Sequence, residues 1–163
     1  MKEFKKIGKT LMYGFAISGV AGSVYAQNTN VWATQCTSSS LASPYECVAQ
    51  HQIKTEGNQV VFQISIVTRE GRDGARLELI GPLGFYIPGG VQMSNDDAVL
   101  FDLSVLRCAT NGCYLEVEID TDDMEALVLS SDLTLDFLTN PENAASVAVP
   151  VTGLADSLAL ITQ

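Results

Sequence analysis

The stretch Leu77–Ile119, LELIGPLGFYIPGGVQMSNDDAVLFDLSVLRCATNGCYLEVEI, decides the fold. It has alternating apolar and polar residues at both ends and a centre broken by Pro and Gly. Phe101, Leu103 and Val105 alternate with Asp102, Ser104 and Leu106. After Asn111-Gly112, Leu115, Val117 and Ile119 alternate with Tyr114, Glu116 and Glu118. A period of two with one apolar face is the mark of a half-buried strand. Asn-Gly takes the positive φ angles of a tight hairpin turn, so these strands should fold back on each other at Asn111-Gly112. Cys108 and Cys113 bracket that turn and could close the hairpin neck as a disulfide. Redox enzymes typically use Cys-x-x-Cys, and here four residues intervene, so the pair reads as a structural staple.

Working outward, the same alternation recurs. Asn30–Cys36, Glu46–Ile53, Gln59–Thr68, Arg76–Ile80, Asp132–Thr139 and Ser146–Val151 all read as strands. Gln59–Thr68 is the strongest, with Val60, Phe62, Ile64 and Ile66 on one face. Glu56-Gly57-Asn58, Gly81-Pro82, Pro88-Gly89-Gly90, Ser94–Asp97 and Asn140–Asn143 are turns. Asp120–Glu125 should cap and start a short helix, with Met124, Leu127 and Val128 inward. Leu154, Leu158 and Ile161 recur at helical spacing behind a Thr152 cap. The expected fold is all-β and mainly antiparallel: a β-sandwich or flattened barrel of about nine strands with one or two short helices.

The chain has 163 residues, 47% of them hydrophobic and 17% charged, which fits one packed domain. Residues 1–26 read as a signal peptide: Lys2, Lys5, Lys6 and Lys9, then an apolar Leu11–Ala21, then Val24-Tyr25-Ala26 as the cleavage site. Residues 27–163 would be the single mature domain, exported to the periplasm, cell surface or medium. Removing the leader takes away four Lys and one Glu. The remainder keeps 5 basic and 18 acidic residues, moving the net charge from -10 to -13. Such a surface repels phosphate backbones, so nucleic acid is not an expected partner. No later stretch is long and apolar enough for a membrane helix, so no insertion is expected after cleavage.

The four cysteines, Cys36, Cys47, Cys108 and Cys113, all follow the leader. An even number behind an export signal implies disulfides. Three pairings are open, and the local ones, Cys36–Cys47 and Cys108–Cys113, are favoured. Their spacing fits no common zinc finger.

Chemistry-bearing groups are sparse. His51 is the single histidine, without a nucleophile pattern beside it, and reads as a solvated or hydrogen-bonded strand residue. Asp120–Glu125 lacks the glycine and terminal glutamate of an EF-hand loop. No catalytic, cofactor or metal residue is assigned. Arg69, Arg72 and Arg76 could form an arginine patch for an acidic partner, although Glu70 and Asp73 can neutralise them. Phe85 and Tyr86, in a short apolar piece, could form an exposed ridge or pack inside. These five residues are the candidate interaction surface.

Trp32, Cys36, Cys47, Pro82-Leu83-Gly84, Gly90-Val91, Cys108, Gly112-Cys113 and Val149-Pro150-Val151 with Gly153 occur in this order. That set resembles the invasion-associated locus B family of secreted bacterial proteins over almost the whole mature length. The resemblance implies an exported, non-enzymatic β domain that acts by contact with an envelope or host-surface protein, with invasion as one setting. It supplies no catalytic residues. Two other classes stand against it: a carboxylate hydrolase using Asp120 with Asp122 or Asp96 with Asp97, and an envelope thiol-disulfide or stress factor using Cys108 and Cys113.

Overall fold

The structure, a computed structural model, describes residues 31–40, 43–95 and 98–162. The signal peptide and cleavage site expected in residues 1–26 lie outside the described residues.

Among the described residues ten strands form two sheets, all paired antiparallel. They are β1 (Ala33–Thr37), β2 (Glu46–Lys54), β3 (Val60–Arg69), β4 (Ala75–Gly81), β5 (Val91–Asn95), β6 (Ala98–Leu103), β7 (Val105–Ala109), β8 (Gly112–Ile119), β9 (Leu133–Asn140) and β10 (Asn143–Val149). Helix α1 spans Thr121–Leu129 and α2 spans Leu154–Ile161. One sheet has the order β1-β2-β3-β4-β8-β7, the other β10-β9-β5-β6. Among the described residues both have free edges, so the fold is a β-sandwich and the flattened barrel is set aside.

The core is what the alternation demands. Phe62, Ile64 and Ile66 of β3, Leu77 and Leu79 of β4 and Leu115 of β8 face Val91 and Met93 of β5, Phe101 and Leu103 of β6 and Leu135 of β9. Phe62 and Phe137 meet edge to face across the two sheets, ring centroids 5.1 Å apart. Helix α2 packs on β1 and β2 and buries Leu154, Leu158 and Ile161 against them.

Several expectations need correction. The strand read through Phe101–Leu106 is two strands. It breaks at Ser104, where the chain leaves the four-stranded sheet and joins the six-stranded one. Alternation continues across that break, because a strand that changes sheets still buries every second residue. Val91–Asn95 is a strand of its own, central to the smaller sheet, and it brings the count to ten. The hairpin between β7 and β8 turns on Thr110-Asn111, not Asn111-Gly112. Ala109 pairs with Gly112 and Cys108 with Cys113, and this register leaves only those two residues in the turn. Gly112 alone takes a positive φ, of 144°. A Cβ there would meet the Gly81 carbonyl oxygen at 2.6 Å, so glycine is required for close approach to β4 as well as for the turn.

The first helix starts as the sequence reading has it, and the second one residue later. In α1 Asp120 is the cap: its carboxylate accepts from the Asp123 N–H, and Asp123 accepts from the Asp120 N–H. Leu127 is buried, but Val128 is exposed. In α2 the cap is Gly153, at φ 80°, rather than Thr152.

Candidate functional site

The two cysteine pairs are disulfides, Cys36–Cys47 and Cys108–Cys113. In each, the two cysteines face each other directly across neighbouring strands. One joins the edge strand β1 to β2, the other the edge strand β7 to β8, so each edge of the six-stranded sheet is clipped. Cys47 lies in register with Thr68, near the turn into β4. Cys113 lies in register with Gly81, at the far end of β4. The bonds therefore sit at diagonally opposite corners of the sheet.

Beside the first corner is a cleft of about 530 Å³. The Cys36–Cys47 disulfide and Tyr45 line one wall. The loop from Arg69 to Gly74 forms another, and Thr121 and Met124 of α1 with the end of α2 complete it. Local sequence builds each wall. Gly71 and Gly74, at φ 76° and 77°, let the chain turn between β3 and β4. Thr68 donates a 2.6 Å hydrogen bond to the Ile161 carbonyl and pins the end of α2 over the sheet. The Asp120–Asp123 capping box sets the start of α1. A volume of this size lies within the usual range for ligand pockets.

The five candidate surface residues do not form one surface. Arg69 and Arg72 reach the cleft. Arg69 donates to the Glu46 carboxylate at 2.7 Å. Arg72 makes no ion pair among the described residues. Arg76 lies on the outer face of the sheet, where it lines a smaller recess together with Arg69 and Arg72, and it is paired with Glu78 at 2.6 Å and with Glu116 at 3.8 Å. The Glu78 hydrogen bond, helped by the charges of Glu78, Glu116 and Glu118, raises its pKa further above the usual guanidinium value. Phe85 and Tyr86 lie beyond the other end of β4, about 20 Å away at roughly 3.3 Å per residue. Phe85 is buried, its ring edge to face with Phe137 at 6.3 Å, because Gly81-Pro82 turns it back into the sandwich. Tyr86 is half-buried, its N–H donating to the Leu138 carbonyl at 2.7 Å. The exposed apolar side chains of this loop are Leu83 and Ile87.

Sequence reasoning missed Tyr45, Met124 and Leu160 as cleft residues. Leu160 carried a signal. It is apolar yet lies off the Leu154, Leu158, Ile161 stripe, so it had to be exposed, and it is.

His51 is not solvated. It is 3% exposed, tilted against the Trp32 ring at a centroid distance of 5.6 Å. Burial lowers its pKa below the usual 6.5, against an opposing hydrogen bond to the Val31 backbone; the Lys54 charge lowers it further. Its Nδ1 is buried without a partner among the described residues. Trp32 Nε1 donates to the Pro150 carbonyl at 2.8 Å, tying the residue before β1 to the residue that follows β10 of the other sheet. This pair is a packing hub.

The carboxylates of the hydrolase reading divide. Asp120 is engaged in the capping box, with Asp122 on the first turn of the same helix. Asp96 and Asp97 lie outside the described residues. Two disulfides fit an oxidising compartment. Among the described residues no helix is long and apolar enough to cross a membrane.

No curated protein matches the chain. Among solved structures, the crystal structure of invasion associated protein b from Bartonella henselae is similar, with a TM-score of 0.68 at 21% sequence identity. The match covers 82% of this chain and 91% of that one, and it shows a shared fold. The family model of the invasion associated locus B (IalB) protein matches residues 32–162, a span that takes in both sheets, both disulfides and both helices. The chain belongs to the invasion associated locus B family.

Proposed function

We propose that this chain is an exported, non-enzymatic β-sandwich module that works by holding another protein, with contact at a host or envelope surface as its setting. The observation that carries the reading is the cleft at the Cys36–Cys47 corner. It combines Arg72, a guanidinium without an ion pair among the described residues, with exposed apolar surface from Tyr45 and Leu160. An arginine beside aromatic and aliphatic side chains is the composition of a protein-contact hot spot. Arg69 and Arg72 share the cleft with Glu70 and Asp73, so it is close to neutral on a strongly acidic chain, and a carboxylate-bearing partner segment is repelled least there and can pair with Arg72. The family name, invasion associated, supports the host-facing setting.

The test is site-specific photo-cross-linking in whole cells, with the photoreactive residue at Leu160 and, as control, at Val99 on the smaller sheet. The reading expects one discrete protein adduct from position 160 that weakens when Arg72→Ala is added. Equal adducts from both positions, or none from 160, would refute the cleft as the contact surface. Protease treatment of intact cells, with a periplasmic marker, separates the two settings. Digestion while the marker survives supports direct host contact; protection until the outer membrane is opened removes it.

A further inference from the structure

The two disulfides share chemistry but not surroundings, and the difference assigns them different roles. We propose that Cys36–Cys47 is an exchangeable disulfide, a substrate for an exported dithiol reductant, and that its reduction opens the cleft wall. Cys108–Cys113 is the static bond of the pair.

Access comes first. Thiol-disulfide exchange needs a thiolate to approach one sulfur along the S–S axis, so its rate depends on exposure. Cys36 is exposed on a strand whose five residues are all exposed, and its partner Cys47 is half-buried. The bond lines an open cleft of about 530 Å³. Cys108 is also exposed, but Cys113 is 2% exposed and packed in the core cluster. The Tyr114 ring beside it carries the Arg107 guanidinium 3.9 Å from its centroid, and Asn111 donates to the Tyr114 hydroxyl at 2.6 Å.

Consequence comes second. Breaking Cys108–Cys113 leaves a hairpin closed by a two-residue turn, with β8 still paired to β4. Breaking Cys36–Cys47 leaves β1 paired to β2 alone, with Trp32 as its fixed point on one side. The Tyr45 wall of the cleft then loses its covalent tie. Tyr45 keeps two bonds to Glu70 as a hinge to the opposite wall: its N–H donates to the Glu70 carboxylate at 3.1 Å and its carbonyl accepts from the Glu70 N–H at 2.9 Å.

The steps balance with a dithiol as reductant. Its first thiolate attacks the Cys36 Sγ, the Cys36–Cys47 bond breaks, and Cys47 leaves as a thiolate that takes up a proton. The reductant's second thiolate then attacks its own sulfur in the mixed disulfide. Cys36 is released as a thiolate and is protonated. The protein gains two electrons and two protons, and the reductant ends as a disulfide.

The test uses the oxidised, folded chain and dithiothreitol as probe, with samples quenched over time by an alkylating mass tag and mapped by peptide mass. The expected result is tagging of Cys36 and Cys47 at least about tenfold faster than of Cys108 and Cys113, as an accessibility difference produces. Hydrogen exchange on the selectively reduced protein should speed up in β1 while β7 and β8 stay protected. Equal rates for the two bonds, or faster tagging of Cys108 and Cys113, overturns the assignment. Faster tagging of Cys36 and Cys47 with unchanged exchange in β1 overturns the opening. A Cys36→Ser/Cys47→Ser protein provides the second check on opening, since it needs no reductant. Neither readout depends on a contact partner, so the outcome stands apart from the cross-linking experiment.

Discussion

The two edges of the six-stranded sheet solve the same problem in different ways. At one, β7 and β8 form a tight hairpin whose turn, glycine, disulfide and cation-π pair are all within a few residues. At the other, β1 and β2 are joined through a longer loop, and β1 is held by a disulfide, by a tryptophan reaching across to the other sheet, and by a helix from the chain's end. An edge built from local contacts is redundant, because removing one leaves the others within the same hairpin. An edge built from distant contacts depends on each of them. The cleft lies at the dependent edge.

The sharpest way to break this contrast is Trp32→Ala. Trp32 is 5% exposed and joins β1, His51 and Pro150, so its loss should cost about 3–5 kcal/mol in a denaturant titration, as large-to-small core changes do. A cost below about 1 kcal/mol would mean that β1 is not anchored there. Next come the bonds themselves. Cys36→Ser/Cys47→Ser should lower stability by about 3 kcal/mol and Cys108→Ser/Cys113→Ser by about 2 kcal/mol, following the sizes of the closed loops. Hydrogen exchange should rise along β1 in the first variant and stay near its normal level along β7 in the second. Equal loosening of both strands would erase the distinction between the edges.

A pH series sharpens it further. His51 is the chain's single histidine, and its pKa is lowered in the folded state. Its contribution is fully present above the unfolded value of 6.5. It is lost as pH falls through 6.5 toward the folded value, because the unfolded chain then binds the proton first. Stability measured from pH 8 to 5 should fall more steeply for the native protein than for His51→Gln, and parallel curves would show that the ring takes up its proton without cost. The smallest effect belongs to the local edge. Arg107→Ala removes an exposed cation-π contact and should cost about 0.5–1 kcal/mol by thermal or denaturant unfolding, with no change in β1 exchange.

Some of this was legible in the residues alone. Alternation in Leu77–Ile80 reports a half-buried strand because side chains point to opposite faces, whereas in Val60–Thr68 it places Phe62, Ile64 and Ile66 in the core but misses that Val60 is exposed and that Ser65 and Val67 are buried on the other face. The acidic start of α1 and the apolar stripe of α2 are equally local, and both helices stand where the sequence puts them. The register of the β7–β8 turn was not legible, because Thr110-Asn111 and Asn111-Gly112 are one residue apart and the choice depends on which residues face each other across the neck. The break at Ser104 was hidden because changing sheets preserves the alternation.

For the site the division is the same. Arg69, Arg72 and Arg76 were visible as a charged loop, and they do gather at one corner, but the pairing of Arg69 with Glu46 and of Arg76 with Glu78 and Glu116 follows from which strands meet there. Burial of Phe85 and of His51 follows from contacts to Phe137 and Trp32, which are far away in the chain. The sequence by itself determined the all-β class, the strand-rich core, the two helices and the resemblance to a family, because each rests on periodicity or on short ordered motifs. Only the tertiary structure decided the two-sheet order, the opposed disulfide corners and the cleft. Those depend on which strand edges meet, and no spacing along one chain encodes a distance across two.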